Sequence, residues 1–371
     1  MSTILHKRKK ETFMTNKIEQ FTSDLMIWFT KNHSRFIWQM KQSNHNFSHE
    51  HPNPFHLEDD VWSHTMMVTT ACKLLGGNKV QMIASLFHDL GKPMARETNS
   101  ETHRVRMSGH AGLSAFLAVD MLREMIDMGW ITRDEAIEVL SIVANHFDFF
   151  KIDFNGNKTM SKFSSKDVKA LEGAMDFSLF DHHGRHFDPQ AQGSYDREAA
   201  KNFIERLKQK HLQTDDCVAK CTFMIGPPGV GKSTYVAKHF SDKTVISRDA
   251  LIEAVDPNST YSENWNNCDQ SEIDKQLDRQ IADAVKSNKD FVIDMTLMSK
   301  KSRRKMLNKL PKHFEVDCVV LFEDYNVLLQ RMEQRQQEGK NIPRRVLDNM
   351  IKGFAWPMHG EGFSNIVVNG L

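Results

Sequence analysis

Short apolar runs alternate with helical patterns through the second half of the chain. Each run is rich in β-branched or aromatic residues and is bounded by polar or glycine-containing segments, which predicts strands. The segments between them have the spacing of amphipathic helices, and this alternation is typical of a parallel sheet. The predicted strands are Thr222–Ile225, Thr244–Ser247, Phe291–Asp294, Val316–Phe322 and Asn365–Val368.

Helical spacing dominates the first half, where no run predicts a strand. A helix is predicted from Trp62, and others over Val80–Leu90, Ser108–Met128, Asp134–His146 and Lys166–Phe180. We therefore expect a multi-domain chain with an all-α N-terminal domain and an α/β C-terminal domain containing a parallel sheet. The expected limits are 1–55 for a helical extension, 56–205 for the helical domain, 206–219 for a linker and 220–371 for the α/β domain.

Composition narrows the class of protein without identifying it. The chain has 371 residues, enough for two domains with substantial cores. Its formal charge is +1, so any nucleic-acid binding must come from local patches.

The five cysteines show no CxxC spacing, which favours reduced thiols in a cytoplasmic protein. No apolar run is long enough to span a membrane, and no apolar core follows the basic cluster at residues 7–10 as in a signal peptide.

A phosphate-binding loop follows the first predicted strand of the second half. Gly226-x-x-x-x-Gly231-Lys232-Ser233 matches the pattern in full, and a helix is predicted directly after it. The glycines allow backbone N–H groups to surround phosphate oxygens, Lys232 reaches the β- and γ-phosphates, and Ser233 binds Mg²⁺. The loop predicts binding of ATP or another nucleoside triphosphate. The expected nucleotide-binding residues are Gly226, Gly229, Gly231, Lys232, Ser233, Thr234 and Asp294.

Three further features favour phosphoryl transfer over nucleotide binding alone. Asp249 follows the second strand, at the edge where a parallel sheet forms its active site, and can take the proton of an attacking hydroxyl. Asp294 ends the third strand and can order Mg²⁺ or its waters. Arg331 and Arg335 lie four residues apart on one helix face, from which they can neutralise the transferring phosphoryl group. Taken singly, Asp294 also suits a helix cap and the arginines a solvated face.

An ordered series of histidines and aspartates marks the first half. His64, the pair His88-Asp89, and Asp181 are metal-ligand types at helix positions that can converge, while the softness of the ligands leaves the metal open. His110 and His146 can complete a second metal site, and two metals could clamp a phosphate ester. Because the chain has 18 histidines, a single one carries little weight, and the argument rests on the series.

This series, with Gly91-Lys92-Pro93 after the His-Asp pair and Arg185 after Asp181, resembles the HD phosphohydrolase superfamily. The resemblance implies metal at His64, His88, Asp89 and Asp181, and implies that Lys92 and Arg185 lie near the phosphate. It leaves His110 and His146 as ligands of a second divalent transition metal or, as in single-metal members, as phosphate donors.

The second half is similar to the 5′-kinase domain of phage and bacterial polynucleotide kinases. The similarity rests on the phosphate-binding loop, Ser247-Arg248-Asp249, the Arg331/Arg335 pair and the Ile342-Pro343 segment. It implies that Lys232 and Ser233 hold ATP and Mg²⁺, that Asp249 is the general base, and that both arginines belong to a lid. Relatives often have an arginine three residues after the base, where this chain has Ile252.

Together the two halves resemble the bifunctional HD–polynucleotide kinase enzymes that heal nucleic-acid ends. The combination implies a kinase acting on 5′-hydroxyl ends of RNA or DNA and a phosphoesterase acting on 2′,3′-cyclic, 2′- or 3′-phosphates. The basic run at residues 300–312 fits a nucleic-acid partner or an ordinary solvated face. The alternatives are a nucleoside-type small-molecule kinase fused to a nucleotide phosphohydrolase, and a nucleotide-gated binding protein. A homodimer is left open.

Overall fold

The computed structural model describes residues 18–149, 152, 154, 157–190, 196–210 and 219–371. The basic cluster at 7–10 and the polar break at 213–216 lie outside these residues. The chain forms two compact units. Unit 1 contains the described residues of Met1–Ala118, Gly129–Ile152 and Ala170–Glu198, and unit 2 those of Val119–Met128, Asp153–Lys169 and Ala199–Leu371. The predicted domain limits stay predictions.

The first half of the sequence is helical, as predicted. Each predicted helix is present, although the stretch from Ser108 to Met128 forms two helices that meet at Ala118. The elements in chain order are α1 (18–32), α2 (Ser34–Lys41), α3 (Val61–Leu74), α4 (Lys79–Phe87), α5 (Lys92–Ala95), β1 (Glu97–Asn99), β2 (Arg104–Arg106), α6 (His110–Leu117), α7 (Val119–Asp127), α8 (Arg133–Phe149), α9 (Asn157–Met160), α10 (Val168–His183) and α11 (Arg197–Lys208).

The two short strands β1 and β2 are an antiparallel pair that the apolar pattern does not predict. They have only three residues each and are almost entirely exposed, so no alternation of apolar residues marks them.

The second half forms a five-stranded parallel sheet, which confirms the predicted fold class. The strands and helices in chain order are β3 (Ala219–Ile225), α12 (Lys232–His239), β4 (Thr244–Ser247), α13 (Arg248–Glu253), α14 (Tyr261–Asn267), α15 (Gln270–Ser287), β5 (Phe291–Asp294), α16 (Lys300–Leu307), β6 (Phe314–Leu321), α17 (Tyr325–Gln337), α18 (Arg344–Lys352) and β7 (Asn365–Asn369).

The strand order β4-β5-β3-β6-β7 places β3 in the middle of the sheet. All four pairings are parallel, so the carboxyl ends of the strands share one edge. β3 is buried along almost its whole length, which explains why it is a continuous apolar run without alternation. Its carboxyl end leads into the phosphate-binding loop, and the neighbouring ends of β4 and β5 lead to Asp249 and Asp294.

Two segments from the first half of the sequence belong to unit 2. Arg123 of α7 donates to Glu323 and to the carbonyl of Gly370, at 2.6 and 2.9 Å. Asp167 accepts from the backbone N–H groups of His359 and Gly360, at 2.6 and 2.8 Å. The end of the sheet is thus held partly by residues that precede it in sequence by about half the chain.

No helix among the described residues is both long enough and apolar enough to cross a membrane.

Candidate metal centre and nucleotide site

Unit 1 brings all six predicted metal ligands into one buried centre. His64 comes from α3, His88 and Asp89 follow α4, and none of the six side chains belongs to an exposed residue. They form two groups, each with its ligand atoms within 4.8 Å of one another. The first group is His64, His88 and Asp181, and the second is Asp89, His110 and His146.

Asp89 lies between the two groups. Its Oδ2 is 3.0 Å from His88 Nε2 and 3.5 Å from His64 Nε2. Its Oδ1 is 3.4 Å from His110 Nε2 and 3.9 Å from His146 Nε2. One carboxylate therefore faces both groups, an arrangement suited to bridging two cations.

The four imidazole rings are oriented by what their outer nitrogens contact. Nδ1 of His88, His110 and His146 bonds a backbone carbonyl three residues earlier, at 2.7 to 2.8 Å. Nδ1 of His64 lies 2.9 Å from Glu58 Oε1. A ring that donates Nδ1–H carries its lone pair on Nε2, so the lone pairs of His88, His110 and His146 point into the centre, and Nε2 of His64 faces it as well.

The donor set fits divalent cations. Nε2 of His110 and His146 are 3.0 Å apart, and two lone pairs at that distance repel each other unless a cation lies between them. Both oxygens of Asp89 are buried without a hydrogen-bond partner among the described residues. Buried charges in proteins are paired or bind metals. Imidazole nitrogens together with carboxylate oxygens suit a first-row metal ion, so this set of ligand atoms fits a metal site.

Protonation favours the same interpretation for the second group. Burial is the main cause that lowers the pKa of His110 to about 4 and that of His146 to about 3, which keeps both rings neutral. Burial alone would raise the pKa of Asp89, but His88 and Lys92 hold it well below its usual range. For His64, burial and Lys92 lower the pKa, yet Asp181 and Glu58 outweigh them and raise it.

Two glycines allow the helices to approach the centre. A Cβ on Gly91 would lie 2.4 Å from the carbonyl oxygen of His110, and one on Gly184 would lie 2.4 Å from Cα of Val68. Both contacts are with backbone, so neither could be relieved by a side-chain rotation. The Gly-Lys-Pro stretch after the His-Asp pair therefore has a steric reason for its glycine.

Lys92 and Arg185 lie beside the centre, and their contact with a phosphate stays a prediction. Lys92 Nζ is 2.7 Å from Asp89 Oδ2, and Arg185 forms an ion pair with Asp181. Sequence reasoning missed Glu58, which contacts His64, accepts from the backbone N–H of His186 at 2.9 Å and contacts His56 Nδ1 at 2.7 Å. An isolated glutamate in a loop gives no pattern that would reveal this contact.

The phosphate-binding loop of unit 2 has the expected form. Gly229 and Gly231 take φ values of +78° and +100°, which side chains rarely allow. Lys232 Nζ donates to the carbonyls of Gly226 and Pro227, both at 2.9 Å. Ser233 Oγ donates to Asp294 Oδ2 at 2.9 Å, so the two predicted Mg²⁺ contacts are adjacent. Thr234 is exposed in the first turn of α12.

Asp249 lies in the first turn of α13, with both oxygens engaged. Tyr261 donates its hydroxyl to Oδ1 at 2.9 Å, and Lys340 donates to Oδ2 at 2.8 Å. Burial would raise the pKa of Asp249, but Lys340 and Tyr261 lower it, so the carboxylate is ionised at neutral pH. Neither partner was found from the sequence, because both are distant from Asp249 along the chain.

Of Arg331 and Arg335, Arg331 contacts the phosphate-binding loop directly. It donates to the carbonyl of Gly229 and to Glu323 Oε2, both at 2.8 Å. Arg335, one turn further along α17, is close enough to Lys232 to lower its pKa. The helix thus presents both guanidinium groups to the loop side, as their spacing predicts.

Arg303 corrects the interpretation of the basic run at residues 300–312. It is fully buried and forms two bonds of 2.8 Å with Glu361, so it cannot contact a nucleic-acid backbone. Its Nη1 also donates to three backbone carbonyls. Ile252 is likewise fully buried, so no acceptor can reach the position where relatives have an arginine.

Comparison with known protein families gives a match for each half. Residues 61–190 match the family model of the HD domain, and residues 222–357 match the family model of the AAA domain. The chain therefore combines an HD domain with a phosphate-binding-loop domain, as its sequence predicts. No curated protein matches the chain.

Three solved structures illustrate what the chain is similar to. One is a chain of the Pnkp1/Rnl/Hen1 RNA repair complex, with 21% identity, a TM-score of 0.31, and coverage of 38% of this chain and 45% of that one. Another is a putative kinase from Chloroflexus aurantiacus j-10-fl, with 15% identity, a TM-score of 0.32, and coverage of 41% and 87%. The third is a gluconokinase from Sinorhizobium meliloti 1021, with 19% identity, a TM-score of 0.29, and coverage of 41% and 82%. This chain thus spans less than half of the RNA repair protein.

Replacing Glu58 with glutamine should weaken metal binding at the HD centre by about 10- to 100-fold, because His64 loses the carboxylate that fixes its ring and raises the basicity of Nε2. Metal titration of the purified protein measures the effect. Glu50→Gln, an exposed glutamate of the same loop, is the matched control. Equal affinities in the two variants would contradict the orienting role of Glu58.

ATP binding should weaken as the pH rises above 8. Burial is the main cause that lowers the pKa of Lys232 to about 8, against the attraction of Asp294 and Asp249. The protonated ammonium binds phosphate, so the Kd for ATP should increase by up to about tenfold per pH unit above that value. Lys232→Arg stays charged and should give a flat profile, whatever its absolute Kd. Equal slopes for the two proteins would disprove the assignment.

Proposed function

We propose that the chain is a nucleic-acid end-healing enzyme with two activities. The α/β domain transfers the γ-phosphate of ATP to 5′-hydroxyl ends, and the HD domain removes 2′,3′-cyclic, 2′- or 3′-phosphates. The main support for the first activity is Asp249, an ionised carboxylate that Tyr261 and Lys340 hold beside the phosphate-binding loop. A pure nucleotide-binding protein has no use for such a base.

In the kinase reaction, Asp249 takes the proton of the acceptor hydroxyl as its oxygen forms a bond to the γ-phosphorus. The bond from the γ-phosphorus to the β–γ bridging oxygen breaks, and ADP leaves. Lys232 holds the β- and γ-phosphates, while Arg331 and Arg335 neutralise the charge that develops on the transferring group. Ser233 and Asp294 would hold Mg²⁺, which would supply further charge neutralisation.

Aromatic side chains beside Asp249 support a polynucleotide acceptor. Tyr261, which bonds Asp249, lies 6.1 Å from Trp265 between ring centroids. Trp265 is 44% exposed, and Arg248 lies over its ring at 5.2 Å. Exposed aromatic rings with cationic neighbours suit stacking of a nucleobase, whereas a sugar acceptor would need hydrogen-bonding groups instead.

In the phosphoesterase reaction, the protein groups bind and orient an anionic end. Lys92 and Arg185 offer positive charge beside the centre, and the four imidazoles with Asp89 and Asp181 would hold one or two divalent cations. Such cations supply Lewis-acid activation of a phosphate ester. The ligand side chains are almost completely buried, which limits the access of bulk water to the centre.

A second candidate is a small-molecule kinase fused to a nucleotide phosphohydrolase. The observation that favours it is Ile252, because its burial removes one contact that relatives make with an acceptor strand. The candidates differ in their acceptor. Transfer of label from γ-labelled ATP to a 5′-hydroxyl oligonucleotide, against a free nucleoside and a sugar, separates them.

Asp249→Asn should reduce phosphoryl transfer to a 5′-hydroxyl oligonucleotide by about 100- to 10,000-fold, because the amide cannot accept the proton. The amide oxygen can still accept one hydrogen bond at this position, so the Kd for ATP should stay within about threefold of wild type. Single-turnover label transfer measures the rate. Near wild-type transfer by this variant would remove Asp249 from the role of base.

Asp89→Ala should abolish phosphate removal from 2′,3′-cyclic ends while kinase activity stays within a few-fold. Lys232→Ala should have the opposite effect, since the charges of the two sites are neutralised locally and screened beyond about 10 Å. Both assays are run on the full-length protein. A folded Asp89→Ala protein without kinase activity would show that the two halves form one composite site.

Trp265→Ala should raise the KM for a 5′-hydroxyl oligonucleotide by about 5- to 100-fold, the loss expected for one stacked base. The KM for an oligonucleotide whose 5′-terminal residue is abasic should not change. Trp38→Ala, an exposed tryptophan in unit 1, is the control. Equal effects on the two oligonucleotides would rule out base stacking on Trp265.

A further inference from the structure

The loop between α2 and α3 places three side chains beside the HD centre that no metal assignment uses. His45 and Glu58 are buried, His56 is partly buried, and one ligand atom from each lies within 4.8 Å of the others. The rings of His45 and His56 are stacked, 4.4 Å between centroids and 11° from parallel. Imidazole lone pairs lie in the ring plane, so two parallel rings cannot direct them to one ion. This group is therefore not a third metal site.

His45 instead contacts the lysine of the Gly-Lys-Pro stretch. Lys92 Nζ lies 3.0 Å from His45 Nε2 and 2.7 Å from Asp89 Oδ2. Lys92 is itself 6% exposed, so its ammonium group is held inside the protein between a carboxylate and an imidazole.

The direction of the hydrogen bond follows from chemistry. An ammonium group has three N–H donors and no acceptor, so His45 Nε2 must accept from Lys92. The neutral ring then carries its hydrogen on Nδ1. That atom is buried and has no hydrogen-bond partner among the described residues. The Lys92 contact thus selects a tautomer that leaves a buried donor unsatisfied, which lowers stability.

The stacking on His56 fixes the ring of His45. His56 Nδ1 is 2.7 Å from Glu58, and the backbone N–H of His45 donates to the carbonyl of Asp59 at 3.1 Å. With one N–H donated to His45 Nε2 and its charge 2.7 Å from Asp89 Oδ2, the ammonium group of Lys92 is held in place while N–H groups remain for a ligand.

We propose that His45 is a positioning residue, which holds the ammonium group of Lys92 so that a remaining N–H reaches an oxygen of the phosphate bound at the HD centre. A buried, unsatisfied donor is the cost of this arrangement, and such costs occur where function rather than stability selects the residue. The inference rests on the proposed phosphoesterase function, and it adds a residue that the HD resemblance does not include.

Binding of inorganic phosphate tests the proposal without relying on turnover. Calorimetry on full-length, Mn²⁺-loaded protein is carried out in a Lys232→Ala background, so that the phosphate-binding loop does not contribute. His45→Phe keeps the stacked ring and removes the acceptor, and should raise the Kd about tenfold. His45→Gln restores an acceptor and should recover most of the loss. His49→Phe, an exposed histidine of the same loop, should have no effect.

Two further readouts separate positioning from a structural role. The Tm of His45→Phe should stay within a few degrees of the parent, because the unsatisfied Nδ1–H is gone while one buried N–H of Lys92 loses its acceptor. Lys92→Met should weaken phosphate binding at least as much as His45→Phe, and the double variant should match Lys92→Met within about twofold.

An unchanged Kd in His45→Phe would overturn the proposal, and so would a double variant that is weaker than Lys92→Met by the full tenfold. A parent protein that shows the predicted binding pattern but does not hydrolyse nucleic-acid end phosphates would refute the proposed substrate and leave the role of His45 intact.

Discussion

The carboxylate of Asp89 lies in the interior of unit 1, with five nitrogen atoms within 4 Å of its two oxygens. Moving such a charge out of water costs several kcal/mol unless cations compensate for it. The surrounding architecture depends on this requirement: α3, α6, α8 and α10, together with the turn that follows α4, each contribute residues to the centre. Backbone carbonyls hold the Nδ1 atoms of His88, His110 and His146, and Glu58 lies beside Nδ1 of His64. The Nε2 atoms of all four rings therefore face the centre.

The nucleotide site must also compensate for a concentrated charge, and it does so largely with backbone groups. A triphosphate carries its own negative charge, so the loop offers N–H groups, the start of α12 and Lys232. Among the described residues, the carboxylates of Asp294 and Asp249 are the ones that most raise the pKa of this lysine. The parallel order of β4, β5 and β3 brings their ends to the same edge, and this shared edge is why residues far apart in sequence meet there.

Much of this could be predicted from the sequence, because the informative signals are local or periodic. The β4 and β5 limits agree with the predicted runs residue for residue, and all six predicted metal ligands lie together. The missed residues are those whose role arises only in three dimensions. Glu58, His45, Tyr261 and Lys340 lie in loops or on helix surfaces with no spacing that marks them. Arg303 was misread for the same reason, since only its pairing with Glu361 shows that it is buried.

The segments at residues 119–128 and 153–169 have a consequence for how the protein is made. Both leave the ribosome well before any strand of the five-stranded sheet, yet both belong to unit 2. Arg123 cannot meet Glu323, and Asp167 cannot meet His359, until almost the entire chain has been synthesised. Unit 2 therefore cannot complete its fold until almost the whole chain has been made, and a gene cut at the border between the two family matches would divide unit 2 rather than release it whole.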